Sequence, residues 1–388
     1  MCLFTFLSIG LIGCGKKNDS GDKPDNPDPK PPVIDPEPEP EPEPEKAVKI
    51  TSPAGTVYSC KDYIVSYLNA PESDDVAKYT KSTAEDDQAQ SVVIEWTDEG
   101  TAKSYTVEYG LKADFSDAIK EELGGSSRRL KVYNLYKAST YHVRVPAVDE
   151  DGTKRTSVSS FDTQKTGPRV MKIGGIINVR DIGGYTTEDG KTVKQGLIFR
   201  GSCMSASKDP AFADLALSDE GKKYMQETLK IKSDFDLRSG AMYPELTQSP
   251  IPGAKITFFG ISGYADAFKE QFKENYRKLF SAFANEDNYP VYVHCDAGAD
   301  RTGTAMMILE YLLGMKWEDI KHDYEFTSFS RAGLRSAYSG FYVSYMNNFT
   351  VAFEAFEGDT YAEKAENYLL SIGVTSEEIA SIRSIMCE

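Results

Sequence analysis

Histidine is nearly absent from this chain, with three in 388 residues. His142, His294 and His322 have no spacing that would set two of them on one ion, and no Cys/His cluster joins them. No metal and no cofactor is therefore expected, and activity should survive chelators. Positive charge is also short: 44 Lys and Arg stand against 60 Asp and Glu, for a net charge of −16. An acidic chain with no basic stripe is a poor partner for nucleic acid or for an anionic lipid surface. None of the six cysteines has the paired spacing of a disulfide framework, although a pair such as Cys60–Cys387 stays open. The apolar, uncharged run from Leu3 to Gly13 is too short to span a bilayer.

That run ends in Leu11-Ile12-Gly13-Cys14, which resembles a bacterial lipobox. The resemblance implies a signal peptide over 1–13, a lipid on Cys14, and a chain anchored in a bacterial cell envelope, facing the periplasm or the surface. One departure is that no Lys or Arg precedes the apolar run. Residues 14–46 have almost no large apolar side chains and end in repeated Pro-Glu from Pro36 to Glu45. Such a segment cannot bury a core and favours an extended, self-repelling polyproline spacer. At roughly 3.1 Å per residue it could hold a domain up to about 90 Å from a membrane. Ten acidic residues against five lysines in 16–46 give this stretch −5 of the total −16.

Residues 47–165 read as a second module. Ser91–Trp96 and Ser104–Tyr109 alternate apolar and polar side chains as half-buried strands do. With Arg129–Val132 and Asn134–Val145 they resemble a fibronectin type III β-sandwich, in which Trp96 would be the core tryptophan and Tyr141 the corner tyrosine. Residues 61–90 form an insertion that does not fit the strand pattern. No motif says what the sandwich binds.

The chemistry is concentrated in Tyr292-Val293-His294-Cys295-Asp296-Ala297-Gly298-Ala299-Asp300-Arg301-Thr302-Gly303. A β-branched apolar segment runs through a Cys–x5–Arg loop into the helical pattern of Ala305–Leu313. Strand, tight loop and helix N-terminus make an anion cradle, because the loop N–H groups and the positive helix end point at the same place. A cysteine at its mouth should be a thiolate, and Arg301 can hold two phosphate oxygens with one planar fork. Nucleophile and oxyanion site together imply phosphoester hydrolysis through a cysteinyl-phosphate. The backbone of Asp296, Ala297, Gly298, Ala299 and Asp300 would bind phosphate with Arg301. Thr302 would donate its hydroxyl to the thiolate, His294 would orient the loop from beneath, and Gly298 and Gly303 would let the backbone close around phosphate.

This loop resembles the signature of the cysteine-based protein tyrosine phosphatase superfamily, and more narrowly its bacterial tyrosine and phosphoinositide phosphatases with His-Cys-x-Ala-Gly-Lys-Asp-Arg-Thr-Gly. Asn178-Val179-Arg180-Asp181-Ile182-Gly183-Gly184-Tyr185, Leu197–Ser202, Phe235-Asp236-Leu237-Arg238-Ser239 and Asp319–Thr327 resemble further segments of the same family, in order. The resemblance implies a catalytic α/β domain over 166–388, with a mostly parallel central sheet flanked by helices and Cys295 as nucleophile. Helices are expected over Tyr264–Asn285, Thr302–Leu313, Trp317–Phe326, Phe341–Phe356, Thr360–Ser371 and near Ser376–Ile385. The chain departs from the family at Ala299, where the loop lysine is missing, and Asp296 and Asp300 place two carboxylates beside the nucleophile. Both features lower the expected affinity for a polyanionic substrate.

A general acid must protonate the leaving oxygen. Asp300 is favoured over Asp266, because the adjacent thiolate and burial would both favour its protonated form. Asp266 follows the strand-like Lys255–Ile261, where many superfamily members carry an acid loop. Tyr264, Phe268, Tyr338 and Tyr342 could line a slot for an aromatic leaving group. Cys203 could approach the loop as a resolving thiol. The expected activity is metal-independent hydrolysis of phosphotyrosine, with phosphoserine or phosphothreonine as further substrates. The alternatives are a small phosphorylated metabolite or inositol phosphate as substrate, or a non-catalytic reader of phosphate.

Overall fold

Alternation every second residue organises the first half of the chain, as in Val92–Asp98, where Val92, Ile94 and Trp96 are buried. The computed structural model describes residues 46–81 and 86–388; the expected signal peptide, Cys14 and nearly all of the spacer lie outside them. From Lys46 onward the chain is one compact unit. No helix among the described residues is long and apolar enough to cross a membrane.

The sandwich contains β1 (Val48–Ser52), β2 (Thr56–Val57), β3 (Val92–Asp98), β4 (Ala102–Gly110), β5 (Ile119–Gly124), β6 (Arg129–Val132), β7 (Thr140–Asp149) and β8 (Lys154–Thr163). One sheet has the order β1-β3-β6 and the other β2-β8-β7-β4-β5. Trp96 and Tyr105 pack at the centre of the core between them. The Tyr136 N–H donates to the Tyr141 hydroxyl at 3.0 Å, which makes Tyr141 the expected corner tyrosine.

The insertion is helical in part. It forms α1 (Asp62–Leu68) and a 3-10 turn at Val76–Lys78. Its apolar residues Ile64, Tyr67, Leu68 and Val76, with Cys60 just before it, cluster with Val170, Phe326 and Phe329 of the catalytic half.

That half begins with β9 (Arg169–Val170), β10 (Arg180–Asp181), β11 (Ile198–Gly201), α2 (Asp219–Lys223), β12 (Ser233–Asp236), β13 (Lys255–Phe258), α3 (Glu270–Phe283) and β14 (Val291–His294). Then come α4 (Asp300–Leu312), α5 (Trp317–Phe326), α6 (Val343–Glu354), α7 (Tyr361–Ser371) and α8 (Ser376–Met386). The sheet order is β13-β12-β14-β11-β10-β9. The four strands from β13 to β11 pair in parallel, and β10 and β9 add antiparallel pairs at one edge. On β14, Val291 and Val293 face one apolar cluster and Tyr292 faces the other, so both faces of the sheet are covered. Helix α4 is buried on every side from Thr302 to Leu312, the mark of a central helix.

The expected helix over Tyr264–Asn285 is broken. Tyr264–Phe268 is a 3-10 turn, Lys269 is extended (φ −72°, ψ 143°), and α3 starts only at Glu270. Tyr264 adopts a left-handed backbone (φ 54°), and its N–H donates to the Thr304 hydroxyl of α4 at 2.7 Å. Those tertiary demands override a continuous helix. The other expected helices are present with ends shifted by two residues or fewer; α7 and α8 begin at capping boxes made by Thr360/Glu363 and Thr375/Glu378.

Candidate active site

The central strand β14 delivers Cys295 at its carboxyl end, and the chain then turns through Asp296–Ala299 into α4. The helix has no side-chain cap, since Ala299 occupies the N-cap. Its first N–H groups are thus available to an anion, as the loop reading requires. Gly298 has φ +68°, and a Cβ there would lie 2.2 Å from the Gly201 carbonyl oxygen. Only glycine lets the loop press against the end of β11.

Gly303 stands just past the loop. It sits within α4, its N–H donates to Ala299 O at 2.8 Å, and a Cβ would meet Tyr324 at 3.4 Å. The chain is already helical there, in the first turn of α4. Thr302 is fully buried, and its hydroxyl has no hydrogen-bond partner; the expected donation to the Cys295 sulfur is not made. The engaged hydroxyl is that of Thr304, which donates to Asp300 O at 2.8 Å and accepts from Tyr264 N.

His294 lies beneath the loop. Its Nε2 is 2.9 Å from Asp234 and 3.8 Å from Asp236, and its Nδ1 is 3.2 Å from Cys295 O. Burial favours the neutral ring, but the two aspartates win and raise its pKa to about 9. The imidazolium can therefore donate from both nitrogens, tying the nucleophile's backbone to β12.

Cys295 is only 3% exposed. Burial disfavours the Arg301 guanidinium, yet Cys295 and Asp296 together hold its pKa above the ordinary value. Arg301 reaches Asp296 Oδ2 at 2.5 Å. Asp296 also accepts from Ser207 at 2.8 Å and faces Arg238 at 3.5 Å. Burial opposes its ionisation, but Ser207, Arg301 and Arg238 hold its pKa below the usual carboxylate value. Asp300 receives Arg335 on both oxygens, at 2.8 and 3.0 Å, and the Tyr264 hydroxyl at 2.7 Å. These three hydrogen bonds hold the Asp300 carboxyl group in place. They also mean that each loop carboxylate is matched by arginine, so neither stands as bare negative charge against a phosphate.

Asp266 lies in the 3-10 turn, half-exposed and 2.7 Å from Lys269 Nζ. Asp300, Arg301 and Asp266 line a cavity of about 550 Å³ together with Tyr264, Phe341, Tyr342 and Tyr345. Two of the four aromatic residues expected at such a slot are therefore there. Phe268 instead packs in the core with Phe349, Phe353 and Tyr368, and Tyr338 bonds to Glu72 O of the insertion. Phe341 and Tyr345 were not foreseen; Phe341 is 72% exposed.

Ala297 and Ala299 pack behind the loop with Cys203, Phe212 and Leu215. Cys203 does approach the loop, its N–H donating to Asp296 O at 3.0 Å. Burial, however, pushes its thiol up to about 12, so it packs as a neutral group and is a poor attacking thiol. Among the described residues no three His, Cys, Asp or Glu side chains are grouped as a metal site would need.

Three residues from the matching motifs complete the site. Arg180 and Arg200 both pair with Asp323, and Arg200 Nη2 donates to Gly298 O at 2.8 Å. Arg335 carried no sequence signal; its markers are tertiary, the paired Asp300 carboxyl and the Tyr342 ring 3.4 Å from its guanidinium.

The family model for the tyrosine phosphatase family matches residues 171–388, more than half of the chain, and that for the fibronectin type III domain matches 79–163. A Cupriavidus necator protein, provisionally named a tyrosine-protein phosphatase, is 28% identical over 178 residues, which cover 38% of this chain and 59% of the relative. The chain thus spans less than two thirds of that relative's length. Among solved structures, the core catalytic domain of the PP-IP phosphatase SIW14 from S. cerevisiae, in complex with citrate, matches at 19% identity over 39% of this chain and 77% of its own, with a TM-score of 0.25. A Siw14 catalytic core matches at 20% identity over 47% and 95%, with a TM-score of 0.28.

Proposed function

The chain belongs to the tyrosine phosphatase family, and from that premise we propose that it is a phosphoric monoester hydrolase acting on aryl phosphates, phosphotyrosine above all, through a cysteinyl-phosphate. The observation that carries the substrate class is the cavity beside Arg301, walled by Tyr264, Phe341, Tyr342 and Tyr345. An aromatic ring can lie against aromatic walls while its phosphate rests in the loop. A polyhydroxylated, multiply charged ring would find neither the missing loop lysine nor unpaired arginines there.

In the first step the Cys295 sulfur bonds to phosphorus as the ester P–O bond breaks, and the leaving oxygen takes a proton from Asp300. In the second, water attacks phosphorus, its proton passes to Asp300, and the S–P bond breaks to release phosphate. Arg301 and the loop N–H groups hold the equatorial oxygens throughout. Asp300 is assigned the acid role over Asp266 because it adjoins Arg301 in the chain and is held in place by Arg335 and Tyr264.

The test is hydrolysis of para-nitrophenyl phosphate with excess EDTA, beside Cys295→Ser, Asp300→Asn and Asp266→Asn. Turnover should resist EDTA and vanish in Cys295→Ser. Asp300→Asn should lose about 10²–10⁴-fold, and Asp266→Asn far less. A phosphotyrosine peptide should outperform phosphoserine and inositol phosphates in kcat/KM; the reverse order would overturn the aryl assignment. We also propose that Cys14 is lipidated and tethers the enzyme to the cell envelope, on the strength of Leu11-Ile12-Gly13-Cys14. Membrane fractions that retain the Cys14→Ser protein as firmly as the wild type would rule this out.

A further inference from the structure

The phosphate loop is braced from behind by Asn178, and Asn178 is held by the sandwich insertion. Asn178 is fully buried and left-handed (φ 62°). Its Nδ2 donates to the carbonyls of Ala297 and Gly298 and to the Thr327 hydroxyl, all at 3.2 Å. Its Oδ1 accepts from Arg180 at 2.6 Å, which fixes the amide orientation. A trans peptide points its C=O and N–H in opposite directions. Drawing the Ala297 and Gly298 carbonyls back onto Asn178 therefore aims the N–H groups of Gly298 and Ala299 forward, into the cradle.

The backbone N–H of Asn178 in turn donates to the carboxylate of Asp87. Asp87 is 1% exposed and belongs to the insertion, within the stretch matched by the fibronectin type III model and outside that matched by the phosphatase model. Its neighbours stitch the same segment to the catalytic half: Asp86 N to Phe329 O and Gln88 Nε2 to Ile176 O, both at 3.2 Å. Asparagine tolerates the left-handed region, and there Asp87 is the group that accepts the N–H of Asn178. We propose that Asp87 is a positioning residue for the phosphoryl-transfer reaction, acting through Asn178 on the donors of the phosphate loop. The frame that positions the loop donors then reaches into the sandwich insertion at Asp87.

This rests on the enzymatic reading of the loop, though not on the aryl substrate, because vanadate binding reports the cradle whatever the ester. In the full chain, kcat and KM for para-nitrophenyl phosphate and the Kd for vanadate are measured for Asp87→Ala, Asp87→Asn and Gln88→Ala, with thermal unfolding run in parallel. Asp87→Ala should lower kcat and weaken vanadate about tenfold each, the scale of one lost aligned hydrogen bond, with KM within about twofold. Asp87→Asn keeps an acceptor oxygen and should restore most of the loss. Gln88→Ala removes only the neighbouring stitch and should leave kcat unchanged. If Asp87→Ala fails to fold, Asp87→Glu, which moves the acceptor by one methylene, should show the same loss. Wild-type kcat and vanadate affinity in a folded Asp87→Ala or Asp87→Glu protein would overturn the proposal. So would equal losses in Asp87→Asn or in Gln88→Ala.

Discussion

At the residue scale the site is a set of charges held in place by other charges. His294 shows the consequence most directly. Its pKa in the fold, about 9, lies above the roughly 6.5 of an unperturbed imidazole. The stabilisation it brings is therefore fully present below pH ~6.5 and lost as pH rises through about 9. Thermal unfolding between pH 6 and 10 should show this decline in the wild type and a flatter profile in His294→Gln; parallel profiles would remove the imidazolium from the account. Cys295, Arg301 and the glycine at 298 were legible in the sequence because nucleophile, fork and tight turn occupy one short stretch. Arg335 was not, because it meets Asp300 from 35 residues away and only the fold brings them together. The surroundings of Asp300 could not be read without it.

At the scale of elements, the loop is held by β10, β11 and α5 as much as by its own strand and helix. Arg180 of β10 and Arg200 of β11 converge on Asp323 of α5, all three essentially unexposed. Replacing Asp323 by Asn would leave two buried guanidinium groups with a weak acceptor. Removing one member of such a buried network costs about 3–5 kcal/mol. Urea unfolding of Asp323→Asn should show a loss of that order, and a loss below about 1 kcal/mol would mean that the arginines find other partners. The helices with apolar periodicity and capping boxes could be read from sequence to within two residues. The segment 264–285 could not, because Tyr264 is left-handed where it meets α4, and local pattern carries no trace of that contact. The insertion failed as a strand pattern for a simple reason: its apolar side chains answer to the catalytic half and not to the sandwich.

At the scale of the molecule, the two expected modules lie in one compact unit. Lys137 lies at their junction, its Nζ donating to Gly167 O at 2.7 Å and resting 3.3 Å from the Tyr185 ring centre. Gln195 exchanges two hydrogen bonds with its backbone, both at 3.0 Å. Arg169 adds bonds to Leu135 O, Asn134 O and Asp181. With the shared apolar cluster of α1 against Phe326 and Phe329, neither half can open without exposing buried surface on the other. The sequence holds two tryptophans, Trp96 in the sandwich and Trp317 at the start of α5, so each half can be followed separately. Fluorescence melting of Trp96→Phe reports the catalytic half, and that of Trp317→Phe reports the sandwich. Each substitution has its own cost, so each variant's fluorescence midpoint is compared with that variant's loss of far-ultraviolet circular dichroism. Coincidence in both is expected, as a single cooperative transition requires. A separation of several degrees in either would show two independent domains, and the sandwich would then be an appendage of the enzyme and not part of its frame.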